Sequence, residues 1–302
     1  TFPPSQDRHT VRNLCAGVED RMSRVFVTGG TGFVGRHVCR QLTAAGHDVT
    51  AILRHGSAAR LPEGVARVIE VDNLFTQTPA WWAGHFTEGA HLIHLAWTAT
   101  PGKYINDPAN LGCLAGTLTM AEGAISAGIS KITGIGTCIE YRMGDAPLDI
   151  DTPLEPQSPY AGAKAAAFMA LSTSLAQTDT AFTWCRLFYL YGEGEHPSRL
   201  VAHLHDSLAQ GKPIDLSQGC QIRDFLDVEE GARQIIAASL GDVTGPVNIC
   251  SGDGISVRML ATHIAEAYGR TDLLKFGARP NNAFDPAVVV GVPTKLPEDF
   301  VL

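Results

Sequence analysis

The sequence predicts an α/β protein: a Rossmann-type, doubly wound parallel sheet followed by a smaller C-terminal α/β lobe. Three observations carry this. From Arg24 onward, short β-branched runs alternate with longer Ala-rich or amphipathic segments, the signature of βαβ units. Most of the short runs are continuously apolar, which suits strands covered on both faces. A cluster of glycines follows the first run and opens the first helix, where a nucleotide-binding turn belongs.

Taken in order, the first strand is expected at 24–28 (RVFVT) and the first helix at 33–45, joined by the glycine-rich turn. Strands follow at 48–53 (DVTAIL), 67–71 (RVIEV) and 91–95 (HLIHL), then a helix at 109–128. A strand at 131–136 (KITGIG), a helix at 159–178 and a strand at 181–187 (AFTWCRL) complete the regular alternation. After residue 188 the pattern loosens into Gly/Pro/Asn-rich stretches (GEGEHPSR, GKPIDLSQG, GARPNNAFDP) between helices at 228–240 and 256–268, the latter capped by Ser256. The run at 246–250 (PVNIC) is expected to return to the core sheet. The expected organisation is an extension at 1–21 dispensable for the fold, a dinucleotide-binding core at 22–187, and a lobe at 188–302 that mainly binds substrate. The lobe would lie over the carboxyl ends of the strands, where open α/β sheets bind ligands.

Composition narrows the function. The 302 residues carry 23 Lys+Arg against 31 Asp+Glu, a net charge of −8, which disfavours nucleic acid and polybasic membrane contacts. Seven cysteines without a CxxC pair read as reduced thiols of a cytoplasmic protein. Eleven histidines include no HExxH, and His203 and His205 fall on different faces of a helix, so no metal is expected. No apolar run approaches the ~18 residues that span a bilayer, and no signal-peptide core is seen.

Thr28-Gly29-Gly30-Thr31-Gly32-Phe33-Val34-Gly35 fits a turn that lets the backbone approach a pyrophosphate at the N-terminus of a helix. Gly29, Gly32, Gly35, Phe33 and Val34 are therefore candidate cofactor contacts. The second strand ends in Leu53-Arg54-His55 with no acid to hold a ribose 2′-hydroxyl. Arg54 instead offers a guanidinium fork for a 2′-phosphate, with Arg36 and Arg60 as helpers, so NADP(H) is expected over NAD. Asp72, ending the third strand, is either an adenine contact or a turn residue. Tyr160 and Lys164 stand four apart at the start of an Ala-rich helix, on one face. A nearby ammonium would lower the phenol's pKa from about 10 and make it a proton donor. Thr137, after the fifth strand, is placed either to bond a substrate oxygen or to cap the strand end.

These motifs together resemble the extended short-chain dehydrogenase/reductases, in the branch of nucleotide-sugar epimerases, dehydratases and ketoreductases, over about 24–296. The resemblance implies Tyr160 as acid or base, Lys164 gripping the nicotinamide ribose, Thr137 orienting the substrate, and Leu95 and Ala96 along the cofactor. It further implies that Arg223 in QIRDF, Arg279 in GARPN and, more weakly, Arg199 contact a nucleotide diphosphate; Arg223 is also within reach of an ion pair with Asp224 or Asp227. In the dehydratases the hydroxyl residue precedes Asp-Glu, whereas Thr137 precedes Cys138-Ile139 and Glu140 comes one place late. Tyr189 replaces an Asn that many members carry. The segments HLAWTATPGKY, GTCIEY and RLFYLYGEGEHPSRLV are similar to those of sugar 4-ketoreductases. The expected activity is NADPH-dependent reduction of a nucleotide-diphospho-4-keto-6-deoxysugar by a homodimer. The rivals are a 4-epimerase with tightly bound NAD, a reductase of a non-nucleotide ketone, and a non-catalytic NADP sensor.

Overall fold

The computed structural model describes residues 22–281 and 285–297; the expected extension at 1–21 lies outside the described residues. In chain order the first half comprises β1 (Arg24–Thr28), α1 (Phe33–Ala44), β2 (Asp48–Arg54), β3 (Arg67–Val71), α2 (Pro79–His85), β4 (His91–His94), α3 (Ala109–Ser126), β5 (Lys131–Thr137), α4 (Pro159–Leu175) and β6 (Ala181–Leu187). The second comprises β7 (Tyr189–Tyr191), α5 (Leu200–Ala209), β8 (Ile214–Leu216), β9 (Ile222–Asp227), α6 (Val228–Leu240), β10 (Gly245–Ile249), β11 (Gly254–Ser256), α7 (Val257–Ala267), β12 (Leu274–Phe276) and β13 (Val288–Val289).

Seven strands form one sheet in the order β3-β2-β1-β4-β5-β6-β10, every neighbouring pair parallel. The doubly wound parallel sheet is thus as the sequence predicts. Alternate residues of each strand serve opposite cores, the period-2 consequence of the pleat. Phe26, Ile52, Leu92, Ile132 and Trp184 face Trp82 of α2, Met120 and Ala124 of α3, and Leu171 of α4. Val25, Val27, Val49, Ile93 and Val247 face Val38 and Leu42 of α1 and Ile235 of α6. Each such fully buried aliphatic side chain is worth roughly 1.5–3 kcal/mol. β1 lies between β2 and β4, so the chain switches direction there, and a crevice opens at the carboxyl ends of β1 and β4.

In a second sheet β9 pairs with β7 and β13 in parallel and with β11 antiparallel. β8 and β12 form a parallel pair that packs with α5 and α7 around Leu204, Leu208, Ile214 and Ala261. Asp224 ties this region together. Its fully buried carboxylate accepts bonds from Ser251 N and Oγ, Gly252 N and Gly291 N at 2.7–3.1 Å. Lys131 closes the end of α6 by donating to the carbonyls of Ala238, Gly241 and Val243 at 2.6–2.7 Å.

Ser256 does cap α7, its hydroxyl accepting from Met259 N. The helix expected over 159–178 stops at Leu175. The seven-residue α2 was not expected from apolar periodicity; Thr78 caps it and Pro79 fills its first position, a start signal that is local rather than periodic. Among the described residues no helix is long and apolar enough to cross a membrane.

Candidate active site

The crevice is a cavity of about 1450 Å³. Ordinary single-ligand pockets run to ~1,000 Å³, so there is room for two ligands side by side.

One end is made of backbone. Gly29 takes φ +73°, and a Cβ there would lie 2.7 Å from Ala96 N; a Cβ at Gly35 would overlap the Gly29 carbonyl. Only glycine permits this close approach of the turn to the next strand's end. Gly32 occupies the N-cap of α1 without a side-chain cap, so the first-turn N–H groups are left for an anion. Gly29, Gly32, Phe33, Val34, Gly35, Leu95 and Ala96 all line the cavity. The turn fits a dinucleotide pyrophosphate, because its glycines bring bare backbone to the uncapped N-terminus of α1, and a side chain at Gly29 or Gly35 would push that backbone apart. Arg54 and Asp72 stand at the same end, both exposed. Arg54 has no side-chain partner among the described residues, while Asp72 lies 3.9 Å from His55.

The middle carries the proton-transfer groups. Ser158 caps α4 by accepting from Ala161 N, and Pro159 follows at its first position, which fixes Tyr160 and Lys164 in the opening turns. Thr137, Tyr160 and Lys164 line one stretch of wall. The expectation that Lys164 lowers the Tyr160 pKa is not met in this arrangement. Burial raises the phenol above its usual value, Tyr104, Glu140 and Cys138 raise it further, and Arg199 opposes them. Lys164 is 3% exposed and donates instead to the Ile135 carbonyl at 2.6 Å. Burial brings its own pKa down to about 7.

Glu140, the acid that sequence places one residue late for elimination chemistry, is sealed beneath the site. Its carboxylate accepts from Thr137 N (2.7 Å), Trp184 Nε1 (3.1 Å) and Arg186 Nε (2.8 Å) and is 0% exposed. Gly134 and Gly136 make this possible: a Cβ on either would strike the Trp184 indole, and one on Gly136 would also strike Glu140. Arg186 goes on to bond the Tyr141 hydroxyl, which reaches Asn248. The network anchors the turn after β5 that presents Thr137, and it was not visible in the sequence because its members come from three separated segments.

The far end is made of long side chains. Arg223 is 3% exposed and lines the cavity. It pairs with neither Asp224 nor Asp227 but with Asp285, at 2.6 Å, and its guanidinium lies 5.6 Å from the Tyr189 ring. Arg199 lines the same end, 5.8 Å from the Tyr104 ring. Arg279 is the exception: the residues lining the cavity do not include it. Its backbone N–H bonds Leu216 O, at the end of the β8–β12 pair. Tyr104, Trp97 and Asp285, none of them singled out from sequence, also line the cavity.

His203 and His205 are exposed on α5, and His205 bonds the Tyr268 hydroxyl. Among the described residues His37, Glu193 and Glu229 bring ligand-type atoms together. The Arg40 guanidinium already bonds all three, at 2.7–3.0 Å, and supplies the positive charge there.

Residues 25–250 match the NAD dependent epimerase/dehydratase family. The dTDP-6-deoxy-L-talose 4-dehydrogenase (NAD(+)) of Aggregatibacter actinomycetemcomitans is 26% identical over 271 residues, 88% of this chain and 98% of that protein. A UDP-glucose 4-epimerase of Corynebacterium glutamicum is 25% identical over 300 residues, 92% of this chain and 89% of the other. Two solved structures share the fold. The UDP-N-acetylglucosamine 4-epimerase of Methanobrevibacter ruminantium, in complex with UDP-N-acetylmuramic acid, has a TM-score of 0.79 at 21% identity, covering 92% and 94% of the two chains. The dTDP-glucose 4,6-dehydratase of Streptomyces venezuelae, with NAD and TYD bound, has a TM-score of 0.76 at 22% identity, covering 89% and 88%.

Proposed function

The chain belongs to the NAD dependent epimerase/dehydratase family, and within it we propose an NADPH-dependent reductase acting on the C4 ketone of a nucleotide-diphospho-4-keto-6-deoxysugar. The observation that carries this reading is a single cavity with a glycine cradle at one end, arginines at the other, and Thr137, Tyr160 and Lys164 between them. When bound, the nicotinamide supplies the hydride. Tyr160 gives its proton to the ketone oxygen as the alcohol forms, and its raised pKa keeps the proton in place until then. The Thr137 hydroxyl donates to the same oxygen and polarises the carbonyl. Lys164, as an ammonium, favours the phenolate left behind. Arg223 and Arg199 hold the diphosphate by charge-assisted bonds, remote binding energy that positions the reacting carbon.

Reduction is favoured over elimination because Glu140 is fully engaged below the site and the two residues directly after Thr137, Cys138 and Ile139, are not acids. The similar talose enzyme is named as a 4-dehydrogenase of a 6-deoxysugar nucleotide, and that reaction run backwards is a 4-ketoreduction. Its name prints NAD(+); for this chain Arg54, with no acid at the end of β2, supports NADP(H). The epimerase reading is kept alive by the UDP-glucose 4-epimerase relative, since Tyr160 serves proton transfer in either direction. Leu111 of α3 and Met169 of α4 are 72% and 60% exposed, which supports a homodimer formed through these two helices; light scattering of the purified protein tests it. For the activity, Tyr160→Phe is expected to abolish ketone-dependent NADPH oxidation, and an unchanged rate refutes the mechanism.

A further inference from the structure

Lys164 is held by more than the Ile135 carbonyl. Its ammonium lies 3.8 Å from the centroid of the Trp97 ring, directly over the indole face, with Trp184 further away at 5.8 Å. Trp97 lies three residues beyond the end of β4. Its own placement is over-determined. The indole N–H donates to Asn110 Oδ1 at 2.8 Å, and the Phe75 ring meets it edge-on at 6.3 Å. Asn110, 1% exposed, spends its amide donors on the carbonyls of Tyr104 and Asp107 at 2.7 and 2.8 Å. The Tyr104 ring in turn stands edge-on to Tyr160, 4.8 Å between centroids at 89°. One buried amide thus ties the aromatic over Lys164 to the aromatic against Tyr160.

We propose that Trp97, locked by Asn110, is a positioning residue that keeps Lys164 a cation and aims it along the cavity wall beside Tyr160. A buried ammonium with few polar partners tends to lose its proton, and a desolvated indole face is among the few uncharged groups that favour the cation. The other titratable groups around it do less. Glu140, beyond β5, and Cys113 of α3 favour the cation, but the Glu140 charge is committed to Arg186 and the buried Cys113 thiol is pushed up. His94 of β4 is neutral, held down to about 3 by burial and by Lys164 itself, and Tyr160 keeps its proton. Among neutral contacts, the Ile135 carbonyl takes one of the ammonium's three donors, Trp184 is further off, and the Trp97 face covers the cation at 3.8 Å.

The inference rests on the proposed role of Lys164, so its test includes a reading that needs neither coenzyme nor sugar. Trp97→Phe and Trp97→Leu are compared with the parent protein after a thermal melt shows each folded. The Lys164 Cε resonance, assigned by its loss in Lys164→Arg, is titrated in the ligand-free protein, and the alkaline limb of kcat/KM for NADPH is measured alongside. Trp97→Leu is expected to move the midpoint and the limb down by about one pH unit, because the cation loses its aromatic face; Trp97→Phe, which keeps a face, moves them by only a few tenths. An unmoved midpoint in Trp97→Leu, or a shift in Trp97→Phe as large as that in Trp97→Leu, overturns the proposal. A midpoint that moves as expected in a protein inactive on every ketosugar supports it and counts against the reductase reading alone.

Discussion

The two ends of the cavity are built on opposite principles. The end proposed for the coenzyme is consecutive backbone, Gly29 to Gly35, with an uncapped first helical turn and no side chains at its closest approaches. The end proposed for the substrate is assembled from side chains of distant segments, and its central cation, Arg223, is already bound to a carboxylate 62 residues away. A backbone cradle has nothing to rearrange and tolerates no addition. An end made of paired side chains must exchange one partner for another, so its affinity is adjustable.

The largest effect expected from this contrast is at the cradle. Gly35→Leu places a side chain on the Gly29 carbonyl, and coenzyme binding measured by fluorescence titration should disappear; tight binding retained by a folded variant would break the backbone account. At the middle, Tyr160→Phe should lower kcat by ~10²–10⁴, the usual contribution of a positioned proton donor, with the KM for coenzyme nearly unchanged. Arg54→Ser should cost NADPH about 10- to 100-fold in kcat/KM, as befits a lost charged hydrogen bond, and leave NADH almost untouched. At the adjustable end Asp285→Asn leaves Arg223 buried without its counter-charge, a state that a diphosphate relieves. Calorimetry with nucleoside diphosphates should then show binding ~3- to 10-fold tighter; unchanged or weaker binding would mean that Asp285 does not compete with the ligand.

A separate expected effect is on stability. The Lys164 pKa falls from 10.5 to about 7 on folding. Below about 7 the ammonium is charged in folded and unfolded chains alike, and the fold bears its burial. Between about 7 and 10.5 the unfolded chain holds a proton that the folded one has released, so this group's contribution to stability rises with pH. Lys164→Met removes it, and the Tm advantage of Lys164→Met over the parent should be larger at pH 6 than at pH 9.5.

The same contrast decides what could be read in advance. The glycine turn, the helix cap at Ser256 and the Tyr160–Lys164 spacing are local, set by residues within a few positions of one another, and the parallel sheet follows from strand runs each legible alone. Glu140 read as a misplaced catalytic acid because Trp184 and Arg186, which claim it, lie 44 and 46 residues on. Arg223 was assigned to phosphate with Asp224 and Asp227 as rivals, while its partner Asp285 comes from beyond β11 and α7. Arg279 matched a motif, yet its backbone bonds Leu216 and it is not among the residues that line the cavity. Gly134 and Gly136 did hold a signal, since glycine inside a strand marks a close approach; what approached, the Trp184 indole, was set by the sheet register alone.

The most direct test is the stoichiometry of turnover on a nucleotide-diphospho-4-keto-6-deoxysugar. The purified protein is incubated with the ketosugar and NADPH, and coenzyme oxidation is measured against alcohol formed. One NADPH oxidised for each 4-hydroxy product, with NADH a poor substitute, is the predicted result. Turnover of a 4-hydroxy sugar nucleotide to its epimer with no net coenzyme consumed, by protein that retains NAD through purification, would contradict it.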